Sequence, residues 1–420
     1  MAKNNKLNKW LWKWHFIAGL ISLPFILLLS ATGIFYLFKT QYEKPIYKPL
    51  QEVVAKGTPL TFEEQREIAN ENAVKKPNSV VVSLDENKST EFVSGRFGEA
   101  SSLYVNPYNG EVMGEVLVED SFMFKVRKLH GELLMGGFGT KIVELIACWM
   151  IVLIITGLFI WWPERGWNVK GYFIPRTKLG KRTFYRDVHA ISGFWMSALF
   201  LLVLAGGLPW TDVWGGAFRW VQEQTNTGFP ATWGMYQSEA NEGNTKMITL
   251  DEMVAKAKTL DLNGKVRVVF PRGKNGVYSI TNLNVKDLDT QKMIHFNPYT
   301  GEQVLQHNWE DIGVLMRARL WVMSFHQGQF GQWNWLLMLF TGIVLFVMSL
   351  SALISYMMRK RKGDWGIPKV PKSFNASKGV MVLIAILGIL LPLFGLSVLL
   401  IFIFAKINQK LNGKQKVTLT

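Results

Sequence analysis

Five apolar runs decide what this chain can fold into, because each is close to the roughly 20 residues a helix needs to cross a hydrocarbon layer. They cover 16–38, 142–162, 191–208, 333–357 and 380–405. Backbone in lipid must satisfy its own hydrogen bonds, so the expectation is a helical bundle with about five spans. Pro392 interrupts the last run, which leaves a kinked or re-entrant segment, and either side for the C-terminus, open. The first run follows basic residues as a signal peptide would, but its length and the lack of a small-residue cleavage site favour an uncleaved anchor. A single cysteine, Cys148, excludes an intrachain disulfide and an iron–sulfur site built from this chain alone.

Basic residues in the short loops set the expected orientation. Lys3, Lys6, Lys9 and Lys13 precede the first run, and Arg165, Lys170, Arg176, Lys178, Lys181, Arg182 and Arg186 lie between the second and third. Arg359-Lys360-Arg361-Lys362 follows the fourth. These segments are expected in the cytoplasm, with the N-terminus inside and the loops 39–139 and 209–332 outside. The chain then reads as a multi-pass protein of a bacterial inner membrane with large periplasmic loops. This topology largely accounts for the net charge of +16, so no nucleic-acid partner is needed.

Against that frame, four of the six histidines stand at membrane entries. His15 and His189 open the first and third runs, and His130 and His326 lie shortly before the second and fourth, on the other face. A lone interfacial histidine is ordinarily a polar anchor of a helix end. Two pairs, one per face, favour another role, since a neutral imidazole is an ordinary axial ligand for haem iron. The spacing predicts two bis-histidine haems forming an electron path across the membrane. The chain has no Cys-x-x-Cys-His motif, so the haem expected is non-covalent haem b. His295 and His307 fall outside the pattern and are read as structural.

The chain also looks internally duplicated. Trp14-His15-Phe16-Ile17-Ala18-Gly19 leads to Gly33, and Val188-His189-Ala190-Ile191-Ser192-Gly193 leads to Gly207, each eighteen residues after its histidine. These glycines are read as leaving room for close helices or a flat macrocycle. Leu103-Tyr104-Val105-Asn106-Pro107-Tyr108-Asn109-Gly110-Glu111 is echoed by Ile294-His295-Phe296-Asn297-Pro298-Tyr299-Thr300-Gly301-Glu302, so His295 stands where Tyr104 does. Thr61-Phe62-Glu63-Glu64 and Thr249-Leu250-Asp251-Glu252 read as capped helix starts ahead of each copy. Arg127-Lys128-Leu129-His130 and Arg317-Ala318-Arg319-Leu320 read as interfacial basic helices that break at glycines before the membrane. The expected organisation is 1–38, tail and first span; 39–121, a first external α+β domain; 122–208, interfacial helix and spans two and three; 209–311, a second external α+β domain; 312–378, interfacial helix and span four; and 379–420, a C-terminal apolar segment.

At the stretches 14–38, 129–163, 187–210 and 325–356, the sequence resembles the PepSY-associated transmembrane helix family, and the two Asn-Pro-Tyr-x-Gly-Glu turns look like the ends of PepSY-type domains. The resemblance implies a membrane b-type haem oxidoreductase that passes electrons to an external ferric siderophore or other ferric chelate. It places the axial ligands at His15, His130, His189 and His326. Many relatives follow such a histidine with arginine, whereas this chain has Phe16, Gly131, Ala190 and Gln327. Arg127 and Arg186 are the nearby substitutes for propionate contacts, and Arg317 and Arg319 join Arg127 as candidates around the outer site. Two alternatives stay open: a membrane-anchored PepSY module that binds or inhibits a peptidase without redox activity, and an iron or haem transporter. Acids are nearly absent from the spans, which counts against the transporter. Glu144 lies near the start of the second run, as a proton relay, a salt-bridge partner or a water-facing acid. No Rossmann fingerprint follows a predicted strand, so electrons are expected from a quinol or a separate cytoplasmic reductase.

Overall fold

A computed structural model describes residues 5–163, 169–234, 236–237, 246–273, 275–360, 362–370 and 376–417. Lys3, Arg165 and Arg361, counted above for orientation, lie outside the described residues. Contacts divide the chain into a helical unit (1–34, 128–218 and 337–420) and a sheet unit (35–127 and 219–336). In chain order the helices are α1 Asn5–Leu37, α2 Lys39–Gln51, α3 Phe62–Asn72, α4 Phe122–Glu132, α5 Gly136–Trp161, the one-turn α6 Val169–Tyr172, α7 Lys181–Trp195, α8 Ser197–Gly207, α9 Val213–Gln224, α10 Leu250–Thr259, α11 Val314–His326, α12 Gln332–Arg359, α13 Lys378–Leu390 and α14 Pro392–Val417. Strands β1 Ser79–Val82, β2 Thr90–Ser94, β3 Ser101–Val105 and β4 Val112–Leu117 follow α3, and β5 Lys265–Val269, β6 Tyr278–Leu283, β7 Met293–Phe296 and β8 Gln303–His307 follow α10.

Among the described residues four helices are long and apolar enough to cross a membrane, at Lys6–Leu37, Gly136–Trp161, Gln332–Arg359 and Pro392–Gln409. The pair α7–α8, bent by 65°, brings the count to five when it is taken as one broken span. The bend falls at Met196, where no proline or glycine stands; the Ser197 hydroxyl donates to the Phe194 carbonyl at 2.8 Å and competes with the helix ladder. Ile26, Ile146, Met150 and Phe200 bring α1, α5 and α8 into one apolar core, with Val344 and Met348 of α12 against it. Large apolar side chains such as Phe159, Phe340, Ile343 and Leu399 remain exposed, as a lipid-facing surface requires.

The last apolar run turns back on itself. A Cβ added at Gly395 would lie 2.5 Å from the Gly388 carbonyl oxygen, so α13 and α14 touch backbone to backbone at the turn around Leu391. Trp214 donates its indole N–H to the Leu390 carbonyl at 3.0 Å, while Ile401 shares a cavity with Trp14 and Ile17 near the N-terminal end of α1. The run therefore reverses near the end of α8 and descends toward the start of α1. At thirteen residues α13 spans about 20 Å, short of a full crossing. The run is thus a hairpin of two helices and not one kinked helix.

In the sheet unit the eight strands form one antiparallel sheet, ordered β4-β3-β2-β1-β5-β6-β7-β8. The two halves join where β1 pairs with β5, Ser79 opposite Val269 and Val82 opposite Val266. Each half carries the same devices. Thr61 and Thr249 close capping boxes with Glu64 and Glu252. Both outer hairpins shift register at one place, between Tyr104 and Val105 and between His295 and Phe296. The Asn106 and Asn297 side chains accept the amides of Tyr108 and Tyr299 at 3.0 and 2.8 Å. The helices also cap each other: Asp251 accepts the Phe62 and Glu63 amides at 2.7 and 3.2 Å, and Glu63 accepts the Leu250 amide at 2.8 Å. Val80, Phe92, Leu103, Leu250, Met253, Ile280 and Phe296 are buried in the single core beneath.

His295 is 1% exposed, and both its ring nitrogens are bonded. Nε2 donates to the Thr232 carbonyl at 2.9 Å, so Nδ1 accepts from the Ser279 hydroxyl at 2.8 Å. Burial holds its pKa below the usual 6.5, and His307, whose ring lies 6.3 Å away, acts in the same direction. The unfolded chain then takes up a proton that the folded one refuses. Stability is flat above about pH 6.5 and falls as pH drops below it, by up to about 1.4 kcal/mol per pH unit for one proton. His295→Gln should shrink the difference in unfolding temperature of the purified protein between pH 7 and pH 5; an unchanged difference would assign the acid sensitivity elsewhere.

Candidate functional site

In the helical unit, α1 delivers His15 and α7 delivers His189 to one place, with ring centroids 6.4 Å apart and ring planes at 73°. Their Nδ1 atoms are held from different helices. His15 Nδ1 lies 2.9 Å from the Thr156 hydroxyl of α5, and His189 Nδ1 lies 3.2 Å from the Met348 carbonyl of α12. The His15 ring fills the space a side chain would take at Gly157, where an added Cβ would come within 3.2 Å of Cε1. Among the described residues no group of three or more His, Cys, Asp or Glu side chains converges as a metal-binding cluster.

His130 lies toward the other end of the same unit. Its Nδ1 is 3.0 Å from the Thr32 hydroxyl, and its Cε1 lies 3.2 Å from where a Cβ would sit on Gly33. His15 and Thr32 are separated on one helix by a rise of about 26 Å, so the His15–His189 pair and His130 stand at opposite ends. Gly33 marks the sequence repeat by its spacing from His15, and in the fold it stands against His130. Eighteen residues rise about 27 Å, over half of the 33-residue α1, and the glycine against each histidine comes from another helix: Gly157 of α5 for His15, Gly33 of α1 for His130.

His326 ends α11 in the sheet unit, where the following turn is pinned by the Asn334 side chain, which donates to the Phe325 carbonyl at 3.0 Å and accepts the Phe330 amide at 3.1 Å. Of the basic candidates, Arg127 lies over the Phe124 ring at 4.5 Å. Arg317 stands in the first turn of α11. Arg319 is buried, and burial together with the positive charge of Arg219 lowers its pKa. Arg186 donates to the fully buried Asp187 at 2.9 Å, beside Arg176, which makes the stronger fork at 2.7 and 2.8 Å. These three residues clamp the loop before α7 and so fix the approach of His189.

Two groups take roles that the sequence left open. Glu144, 0% exposed, accepts the Val213 and Trp214 amides at 2.8 and 2.9 Å and so caps the N-terminus of α9. Asp212 beside it pairs with Lys141. Glu144→Ala should lower the apparent stability of the purified protein by about 1–3 kcal/mol, through two orphaned amides; an unchanged melting temperature would deny the cap its structural role. Arg359, counted in the sequence only for orientation, lies over Phe16 at 4.5 Å and Trp12 at 5.3 Å and donates to the Gly366 carbonyl at 2.7 Å. It brings a guanidinium onto Phe16, the residue next to His15.

The model of the PepSY-associated TM region family matches residues 12–361, a stretch that takes in all four membrane-entry histidines and the whole sheet. The chain belongs to that family. With four to five apolar helices, it is a multi-pass membrane protein. No curated protein matches it. The match ends at 361, so the hairpin of α13 and α14 lies beyond the PepSY-associated region.

Proposed function

We propose that the protein is a di-haem b membrane oxidoreductase, built on a duplicated plan with two PepSY-like halves, that carries electrons across the bacterial inner membrane and reduces external ferric chelates. The observation that carries this reading is the meeting of His15 and His189. Two imidazoles that share one metal through bonds of about 2 Å have ring centroids roughly 6 Å apart, and these centroids are 6.4 Å apart. Two histidines, with no third His, Cys, Asp or Glu converging on them among the described residues, suit a macrocycle that brings its own four nitrogens. A dedicated protein-only metal site would need more donors.

His15 and His189 would hold the haem at the end near the chain's N-terminus, and His130 with His326 the haem toward the other face. When bound, haem would supply reversible one-electron transfer, and the four histidines would be the groups that hold it. The chain's own residues do the rest. The bundle core around Ile26, Ile146 and Phe200 excludes water, and α1 sets the distance between the ends. Arg359 offers a cation beside the N-terminal-side pair. Arg127, Arg317 and Arg319 are the basic residues proposed to meet the carboxylates of haem or polar and anionic ferric chelates. Fe(II) binds hard oxygen ligands more weakly than Fe(III), so reduction frees the metal for uptake. The donor inside is a quinol or a separate reductase.

Acid–acetone extraction tests the cofactor assignment. The expected result is about two extractable haems per chain, with none retained on the polypeptide. A fully colourless preparation from haem-replete cells would turn the assignment toward a membrane-anchored PepSY-type binding module.

A further inference from the structure

We propose that Thr156 and Thr32 are positioning residues that fix His15 and His130 in the Nδ1–H tautomer, so that each presents an unprotonated Nε2 as its metal-binding atom. The inference rests on the function proposed above, and it comes from counting hydrogens. A threonine hydroxyl has one proton. That of Thr156 goes to the Val152 carbonyl of its own helix at 2.8 Å, and that of Thr32 to the Leu28 carbonyl at 2.8 Å. Each oxygen can then only accept from the histidine at 2.9 or 3.0 Å, so each Nδ1 carries the hydrogen. A neutral imidazole has one such hydrogen, and Nε2 is left with its lone pair. His189 reaches the same state by another route, because the Met348 carbonyl at 3.2 Å has no proton to give.

Each threonine is followed by the glycine that admits the ring. Thr156-Gly157 and Thr32-Gly33 are therefore one device used twice, the hydroxyl orienting the imidazole and the missing Cβ making room for it. The two uses share α1, and α4 carries His130. α1 carries His15 near one end and the holder of His130 near the other, while α5 carries the holder of His15. Thr-Gly alone does not suffice: at Thr341-Gly342 the hydroxyl again bonds its own helix, at 2.6 Å to Leu337, but the glycine faces Ile34. An acceptor on the distal ring nitrogen raises the basicity of a metal-binding imidazole and locks its orientation, and loss of such outer partners typically costs 10–100-fold in metal affinity.

The test compares full-length wild type with Thr156→Val, Thr156→Ser, Thr32→Val and Thr32→Ser. One arm needs no haem: 15N-imidazole spectra of histidine-labelled, haem-depleted protein should show Nδ1–H signals for His15 and His130. Thr156→Val should lose the first signal, Thr32→Val the second, and both serine variants should keep them. The other arm is redox titration of haem-loaded protein. Each valine variant should shift the midpoint potential of one haem upward and speed its loss by roughly 10–100-fold, and serine should restore both. Valine variants with unchanged nitrogen spectra and unchanged potentials, or serine variants that behave like valine, would overturn the proposal. Wild type that binds no haem but shows the nitrogen pattern would instead refute the proposed function and leave the tautomer assignment standing.

Discussion

Replacing His189 by Ala should leave a folded protein with about one haem where the parent holds two, and the haem that remains should be the one lost on replacing His326. The reason is geometric. His189 enters on α7 and meets His15, whereas His130 is held by Thr32 about 26 Å further along α1. A ligand at one end cannot support the other end. Each single-alanine variant should therefore lose one spectral component and keep the midpoint potential of the second. Haem content by pyridine haemochrome, with redox titration, measures both. If either variant lost both haems while its far-ultraviolet circular dichroism stayed native, or lost neither, the assignment of ligands to ends would be wrong.

A second large effect is expected in turnover. Dithionite-reduced protein in detergent, freed of excess reductant, should be reoxidised by a ferric siderophore, and a ferrous-specific chelator should capture the iron released. His130→Ala should slow this by 100-fold or more if electrons leave from the His130 end, a loss on the order of that expected when a chain's terminal carrier is removed. His307→Ala should leave the rate near wild type. The His307 ring packs on Trp233 with Nε2 2.8 Å from the Thr232 hydroxyl, a packing role within the sheet unit. Equal rates in His130→Ala and wild type would place electron exit elsewhere, and no reoxidation across a broad panel of ferric chelates would separate the haem assignment from the proposed substrate.

Much of the fold was legible because lipid leaves few choices. Apolar runs of span length become helices, and α1, α5 and α12 lie where the runs do. Capping boxes at Thr61 and Thr249 and the turns at Asn106 and Asn297 use local chemistry, so they too can be read from short strings. Three features were not legible. The bend at Met196 has no proline or glycine to announce it. The pairing of β1 with β5 joins segments some 190 residues apart, and nothing in either strand specifies a partner. Pro392 marked a break, but only the contact of Gly388 with Gly395 says that the chain reverses there.

At the site, residue types were visible and partners were not. The histidines stood out by their scarcity and position. The glycines stood out only by their spacing, and tertiary structure alone puts Gly157 against His15 and Gly33 against His130. A signal was present nonetheless: Thr-Gly recurs at 32–33, 156–157 and 341–342 within apolar runs, where a hydroxyl and a missing side chain are both unusual enough to note. Arg359 went unnoticed as a site residue because a Lys/Arg run after a span is explained by topology alone.

The visible spectrum of the purified full-length protein, air-oxidised and then dithionite-reduced, bears most directly on the central proposal. Two six-coordinate b haems should give a Soret band that sharpens and moves to longer wavelength on reduction, resolved α and β bands, no change on adding carbon monoxide, and a haemochrome content of about two per chain. A spectrum with no reducible Soret band, in protein purified from haem-replete cells, would contradict it.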